Sequence, residues 1–474
     1  MSWTLKVVTP VHVGSGERAL RTEFEMDGPW AYRISPADWL RIVQEALQMP
    51  PERLIRPFAG AMRQLATQHG RPPSLQAIVD RMAPGRWQQV REKLLQPGFY
   101  LYRVQTTSLA NCNDVRVQVK LEPDGVYIPG SSIKGALRTA IAYAYLQAND
   151  QAYGHIVVQR LIEFRQRQQQ MYDDLRRAEE LGNVQKVWGL KDDLARAIGR
   201  ELGGLAPKSI EVAVFHGAPQ QDENQKPRRD KAQSSRRPEK KDPQYSSMRH
   251  VLVADTSPRP AEECLVIGVA EVVGTVNRRS GEPIRLWQEF IKPGTEFSWC
   301  GIDLEALQQH MRPEMWDTLC SKQGYAGAQR EWASSLRVLL KYLWAFSEEV
   351  LRAELRYWQK DALHCDLMQP SARQRIEQLR QPMIQGIREL MDLNSPERPL
   401  MHVGANQGFL STTIGLLIRE KSPELYAEVV VPATRGRAYP AFFPKTRRVV
   451  HLPGSGNPFC PGWVQLIPPA DAIQ

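Results

Sequence analysis

Apolar and polar positions alternate from the start of the chain. Trp3, Leu5 and Val7 fall on one side of an extended run from Trp3 to Val8 and predict a strand. A loop, TPVHVGSGE, follows, and FEMDGPWAYRI reads as a hairpin turned at Asp27-Gly28. Ser35 then stands as an N-cap, with Pro36 in the first turn and Asp38 at N3. The helix it opens carries Trp39, Leu40, Val43 and Leu47 on its apolar side, and residues 50–98 read as mainly helical. The clearest strand pattern is VRVQVKLEPDGVYIPG. Val115, Val117, Val119 and Leu121 alternate with Arg116, Gln118 and Lys120, so one face is apolar and the other basic, and Pro123-Asp124-Gly125 supplies the turn. In the following helix Ile133, Ala136, Leu137, Ala140, Ile141, Ala144 and Tyr145 recur at i, i+3, i+4 spacing. Lys134 and Arg138 lie off that stripe, one turn apart.

From about 158 to 202 the pattern is helical and rich in Gln, Arg and Glu. Residues 217–247 are almost free of apolar side chains and read as a disordered insertion. HVLVADTSP and CLVIGVAEVVGTVNRR are strand-like, and IRLWQEFIKPGTEFSWCGI reads as a hairpin turned at Pro293-Gly294. Residues 303–395 are mostly helical, with Leu336, Leu339, Leu340 and Leu343 as apolar positions. The tail returns to glycine-rich loops and short strands, ending in GWVQLIP. Hairpins alternating with helices predict an α+β protein.

With 474 residues and 42% hydrophobic content the chain is long enough for substantial cores. A formal net charge of +10 invites a polyanion, either nucleic acid or an anionic surface. The six cysteines are scattered without a CxxC pair, which speaks against structural zinc and a disulfide scaffold and suits a reducing, cytoplasmic setting. The sequence starts on a strand without a signal peptide, and no apolar run is long enough to span a bilayer, so no membrane association is expected.

Four segments have the residue types for chemistry. PGSSIKGALRTAI places Gly130, Ser131, Ser132 and Lys134 at a helix start, where unpaired backbone N–H groups and the helix dipole favour a phosphate and Arg138 adds charge. It lacks the GxxxxGK[ST] pattern of a Walker A loop, and an ordinary capped helix is the alternative. HVGANQGFLSTTIG has Gly404 and Gly408 for close backbone approach, with Asn406 and Gln407 for sugar or base edges; a plain connecting loop is the alternative. The tail interleaves Arg435, Arg437, Lys445, Arg447 and Arg448 with Tyr439, Phe442 and Phe443, the cation-plus-ring chemistry of single-stranded RNA binding, or else a solvated basic face. His12 in the first loop is a candidate general base toward a ribose hydroxyl, but nothing near it in sequence supplies a partner. His364-Cys365-Asp366 is discounted as a metal site, because three adjacent helical residues cannot face one ion.

TPVHVGSGE, YRISPADWLRIV, YIPGSSIKGALRTAI, VLVADTSP, KPGTEF, GANQGFLSTTIG, KTRRVV and PGWVQL together resemble the RAMP superfamily of CRISPR–Cas proteins. More narrowly, their order along nearly the whole chain is similar to the family of the fifth subunit of the type III-A Csm complex. The resemblance implies ferredoxin-like, RRM-related cores in two units, 1–275 and 276–474. The first would carry the insertion at about 158–247, and the second a helical region at about 303–395 and the basic tail. It implies a non-catalytic, crRNA-binding subunit that caps the crRNA 3′ end and the backbone filament and aids crRNA maturation, without cofactor or metal. Its partners would be crRNA, neighbouring backbone subunits, target RNA and host nucleases acting in trans. RNA contacts would map onto Gly14, Ser15 and Gly16, onto Gly130, Ser131, Ser132, Lys134 and Arg138, onto Gly404 to Gly408, and onto the basic tail. The insertion is longer and more charged than the family pattern suggests. A repeat-cutting endoribonuclease of a related RAMP branch, resting on His12, and a scaffold contacting only proteins are the alternatives.

Overall fold

The computed structural model describes residues 3–69, 73–107, 109, 112–121, 124–187, 189–190, 193–194, 214, 248, 251–276, 281–302, 332–361, 369–431, 444 and 446–469. The expected disordered stretch 217–247 lies outside them. In the first part of the chain come β1 (Trp3–Val7), β2 (Gly14–Leu20), β3 (Phe24–Asp27), β4 (Trp30–Arg33), β5 (Tyr102–Thr106), β6 (Asp114–Gln118), β7 (Lys120–Leu121) and β8 (Gly125–Val126). Later come β9 (Arg259–Pro260), β10 (Leu265–Val276), β11 (Pro283–Ile291), β12 (Glu296–Trp299), β13 (Leu400–His402), β14 (Arg447–His451) and β15 (Trp463–Ile467). The helices that matter here are α1 (Pro36–Leu47), α2 (Pro51–His69), α3 (Leu75–Met82), α4 (Trp87–Leu94) and α5 (Gly130–Ala148), with two long ones at Trp332–Arg356 and Pro370–Leu393.

The strands form a four-stranded sheet ordered β12-β1-β15-β13, an eight-stranded sheet ordered β2-β6-β11-β10-β5-β4-β3 with β14 also on β10, and a small β7-β8-β9 sheet. The architecture is mixed α+β, as the hairpin-and-helix pattern predicts. The boundary at 275/276, expected to separate two units, falls inside β10, which pairs with β11; both large sheets take strands from either side of it.

β1 lies inside its sheet because its alternation is satisfied on both flanks. Trp3, Leu5 and Val7 are buried, with Trp3 opposite Trp299 and Leu5 opposite Leu466. The Asp27-Gly28 hairpin forms as expected between β3 and β4, and Gly28 takes the positive φ that the turn requires. Ser35 caps α1, accepting from the Asp38 amide at 3.1 Å and donating to its carboxylate at 2.6 Å. Trp39, Ile42 and Val43 then pack with Leu75, Val79, Val90 and Leu94 in a satellite core formed by α1–α4. α5 is more deeply enclosed than its stripe implies: Thr139 through Leu146 are all buried, because the Trp332–Arg356 helix packs along it.

Four local expectations are corrected. The last part of the expected loop, residues 14–17, is not loop but opens the edge strand β2, paired with β6 across an irregular register; GSGER has no apolar alternation because most of that strand is exposed. The apolar side of VRVQVKL ends at Val117. The strand stops at Gln118, which is buried, while Leu121 is 51% exposed. VLVADTSP is not a strand; it makes isolated bridges, Val253 to Ile302 and Thr256 to Trp299. Finally, β11 and β12 are joined by the Pro293-Gly294 turn but do not pair, since β11 belongs to the eight-stranded sheet and β12 to the four-stranded one. That turn hands the chain from one sheet to the other.

Candidate nucleic-acid interface

Three of the segments singled out in the sequence meet. The first loop is held to β6 by the Val13 amide, which donates to Gln118 Oε1 at 2.7 Å. The 404–412 loop is held to the first loop by the Ala405 amide, which donates to the His12 carbonyl at 2.8 Å. Gly404 makes this approach possible: its φ is +89°, and a Cβ there would run into the His12 carbonyl oxygen. Asn406 is buried and donates to Gln288 Oε1 at 2.9 Å, and Gln407 donates to the His402 carbonyl. Ser411 and Thr412 turn their hydroxyls back onto the carbonyls of Gln407 and Gly408, which stiffens the loop. Between these loops and α5 lies an open cleft of about 430 Å³. It is lined by Val13 and Gly14, by Ser131, Ser132, Arg138 and Thr139, and by Gly404, Gln407, Ser411 and Thr412.

Beside the apolar Val13, Ala136 and Ala405, the polar lining groups are hydroxyl, amide and guanidinium, with no carboxylate among the described residues. That composition suits a phosphate and sugar backbone, which presents acceptors and negative charge. Lys134 sits half-buried beside Arg138; burial, and then the charge of Arg138, lower its pKa. Two like charges at this spacing gain from an anion placed between them.

The start of α5 corrects one expectation. The Gly130 amide is not free for a phosphate: it donates to Asp255 Oδ1 at 2.7 Å. Gly130 is itself buried, and a Cβ there would collide with the Val253 carbonyl. Its glycine serves packing, and a carboxylate of the chain already occupies the positive end of the helix. Ser131 and Ser132 remain on the cleft side. Gly14, Ser15 and Gly16 lie on the exposed edge strand, with the Ser15 hydroxyl donating to the Val117 carbonyl at 3.3 Å.

The basic tail divides. Arg435, Arg437, Lys445 and the three aromatic residues lie outside the described residues. Arg447 does not face solvent: its Nε is 2.6 Å from Glu354 Oε2, its guanidinium lies 3.9 Å over the Tyr357 ring, and its side chain is 10% exposed. Its neighbour Arg448 points to the opposite face of the sheet, where it is close enough to Arg116 to feel its charge. Lys120 is likewise removed from the basic face: it pairs at 2.6 Å with the fully buried Glu289, which also accepts from the Tyr102 hydroxyl and the Gln118 amide. Arg116 was visible in the sequence only as part of an alternating basic face; its proximity to Arg448, some 330 positions later, has no sequence signal.

His12 is 3% exposed, its Nδ1 lies 2.8 Å from the Glu289 carbonyl, and burial lowers its pKa. In that setting it orients the first loop. His364-Cys365-Asp366 lies outside the described residues, and among those residues no group of three His, Cys, Asp or Glu is placed to hold a metal. No described helix is long and apolar enough to cross a membrane. A second cleft of about 320 Å³ holds Glu271, Arg375, His451 and Trp287, but Arg375 engages Glu271 through two bonds of 2.7 and 2.9 Å.

The floor of the loop cluster carries a pH dependence. His402 is buried, stacks on Trp463 at 4.4 Å, and bonds through Nε2 to the Pro461 carbonyl. Desolvation brings its pKa from 6.5 down to about 4. Between those values the unfolded chain binds a proton that the folded one refuses, so stability rises with pH across this window. Stability is expected to fall as the pH drops from 6.5 toward 4, by up to about 1.4 kcal/mol per pH unit. Urea unfolding across this range checks it: the slope should flatten in His402→Asn, and an unchanged slope would remove His402 as its source.

Residues 4–189 match the model of the RAMP superfamily. The comparison with curated proteins gave no match. Among solved structures, the chain is similar to one in a cryo-EM structure of a Csm–crRNA–target RNA ternary complex from a type III-A CRISPR–Cas system. The identity is 21% and the TM-score 0.57, over 98% of this chain and 100% of that one. It is also similar to the crystal structure of Csm5 from T. onnurineus, with 19% identity and a TM-score of 0.51 over 89% of this chain and 95% of that one. At these identities the likeness is one of fold. Residues 4–189 thus resemble the RAMP superfamily, and the overall fold is similar to that of Csm5.

Proposed function

We propose that this protein is the crRNA-binding end subunit of a type III-A CRISPR interference complex, capping the crRNA 3′ end and the backbone filament and supporting 3′ maturation of the crRNA. The observation that carries this reading is the convergence of the first loop, α5 and the 404–412 loop on one cleft that, among the described residues, no carboxylate lines. The likeness in fold to a chain from a Csm–crRNA–target RNA complex supports it, and with it crRNA and neighbouring Csm subunits as partners. The role is binding and assembly rather than catalysis. The histidine on which a nuclease reading would rest is buried and hydrogen-bonded to the backbone.

Phosphate-directed binding is steeply salt-dependent and nearly blind to sequence. Lys134→Ala and Arg138→Ala are each expected to weaken binding of single-stranded RNA, and to reduce the log–log salt slope by about 0.7 for each phosphate that is no longer neutralised. Unchanged affinity and slope in both would remove the cleft from the interface. The assembly reading is tested by tagged purification from the native host at moderate salt. Mature crRNA with Csm-type subunits supports it; clean protein without RNA or CRISPR subunits overturns it.

A further inference from the structure

Arg18, Arg116, Gln288 and Gly268 form one transverse row across β2, β6, β11 and β10, each in register with the next. Registered partners present their side chains to the same face of a sheet. Along β10 the same face returns at positions 270 and 272, and Val272 is in register with Arg448 of β14. Arg116 and Arg448 therefore share a face, over the small apolar cluster of Val266, Ala270, Phe290 and Val450.

Neither guanidinium has a carboxylate partner among the described residues. Both are half-buried, and burial together with the charge of Arg116 lowers the pKa of Arg448. The polar atoms around them are out of balance. Gln118 Nε2, Gln288 Nε2 and Arg448 Nη1 are buried donors without an acceptor, against one unpaired acceptor, Asn406 Oδ1. A buried donor left unsatisfied is costly, and two facing cations add repulsion. The chain keeps both here, whereas elsewhere it matches buried cations with acids, as in Arg447–Glu354 and Lys120–Glu289. A compact anion reaching the exposed part of the two guanidiniums would offset their repulsion and supply the acceptor they lack.

We propose that Arg116 and Arg448 together hold one backbone phosphate of the bound RNA strand. This rests on the RNA-binding reading and extends it from the cleft to the adjoining sheet face. Asn406 links the two, because it belongs to the cleft loop and bonds to Gln288. The strand would leave the cleft across the row that begins at Arg18.

The test uses the full chain, a short uridine-only single-stranded RNA, and the variants Arg116→Gln, Arg448→Gln and their double. If one phosphate is shared, each single variant lowers the log–log salt slope by about 0.7 and the double lowers it by the same about 0.7 rather than twice that. Inorganic phosphate at fixed ionic strength should raise the melting temperature of the wild type relative to chloride and leave that of the double variant unmoved. A double variant with the wild-type slope and phosphate response overturns the proposal; if Lys134→Ala still weakens binding, the RNA reading survives it. A wild type that binds no RNA at all overturns the RNA reading itself.

Discussion

Replacing Arg447 with alanine is expected to destabilise the protein by about 3–5 kcal/mol, the usual cost of leaving one partner of a buried ion pair alone. Arg447 meets Glu354 at 2.6 Å with both side chains nearly closed to solvent. Its Nη1 also donates to the carbonyls of Pro444 and Thr446, at 2.6 and 3.1 Å. Burial acts to lower its pKa, but Glu354 and the Tyr357 ring outweigh it, and the guanidinium is held charged. Alanine would strand the Glu354 carboxylate between the Trp332–Arg356 helix and β14. Replacing both partners by apolar residues of similar volume should recover much of the loss. The midpoint of urea unfolding for Arg447→Ala, and for Arg447→Met with Glu354→Leu, checks this. An Arg447→Ala protein of wild-type stability that binds RNA weakly would instead restore Arg447 to the RNA interface.

The second large effect is expected from Gly404→Ala. The residue sits at φ +89°, which costs an L-residue about 1–2 kcal/mol. The new methyl group would also meet the backbone carbonyl of His12, which cannot swing aside as a side chain does. Overpacking of this kind costs about 1–3 kcal/mol. The 404–412 loop can relieve the overlap only by moving off the first loop, which lengthens the Ala405–His12 hydrogen bond and opens the cleft. Loss of stability and loss of RNA affinity should therefore appear together. Gly408→Ala provides the contrast: its φ is +79°, but a Cβ there meets nothing within 4 Å, so the strain cost remains without the displacement. Equal RNA binding by the wild type and Gly404→Ala, with stability lost, would show that the cleft is not the RNA site.

Much of the local structure was legible along the chain. The alternation of Trp3, Leu5 and Val7, the Asp27-Gly28 turn, the Ser35 cap and the stripe on α5 all form where the pattern places them. Each depends on neighbours within a few positions: side-chain direction, glycine at positive φ, a hydroxyl three residues from an open amide. The segments that line the cleft were legible too, because glycines, serines and basic side chains in short runs mark them.

The tertiary structure decided what each of these residues faces. Pro293-Gly294 makes the turn its sequence demands, yet the strands it joins lie in different sheets, since pairing is set by partners such as Trp3 and Val115 that lie far away in the chain. Arg447 and Arg448 are adjacent and alike in type. One side of β14 brings Arg447 to Glu354, and the other brings Arg448 to Arg116. Lys120 reads as part of a basic face until Glu289 is placed beneath it. Gly130 reads as a phosphate turn until Asp255 takes its amide. The sequence by itself determined where backbone elements start, stop and turn, because those choices are made by short-range sterics and hydrogen bonding. Which cations are neutralised inside the fold, and which have no acidic partner among the described residues, was decided only by the tertiary structure, because a charge finds its partner through space rather than along the chain.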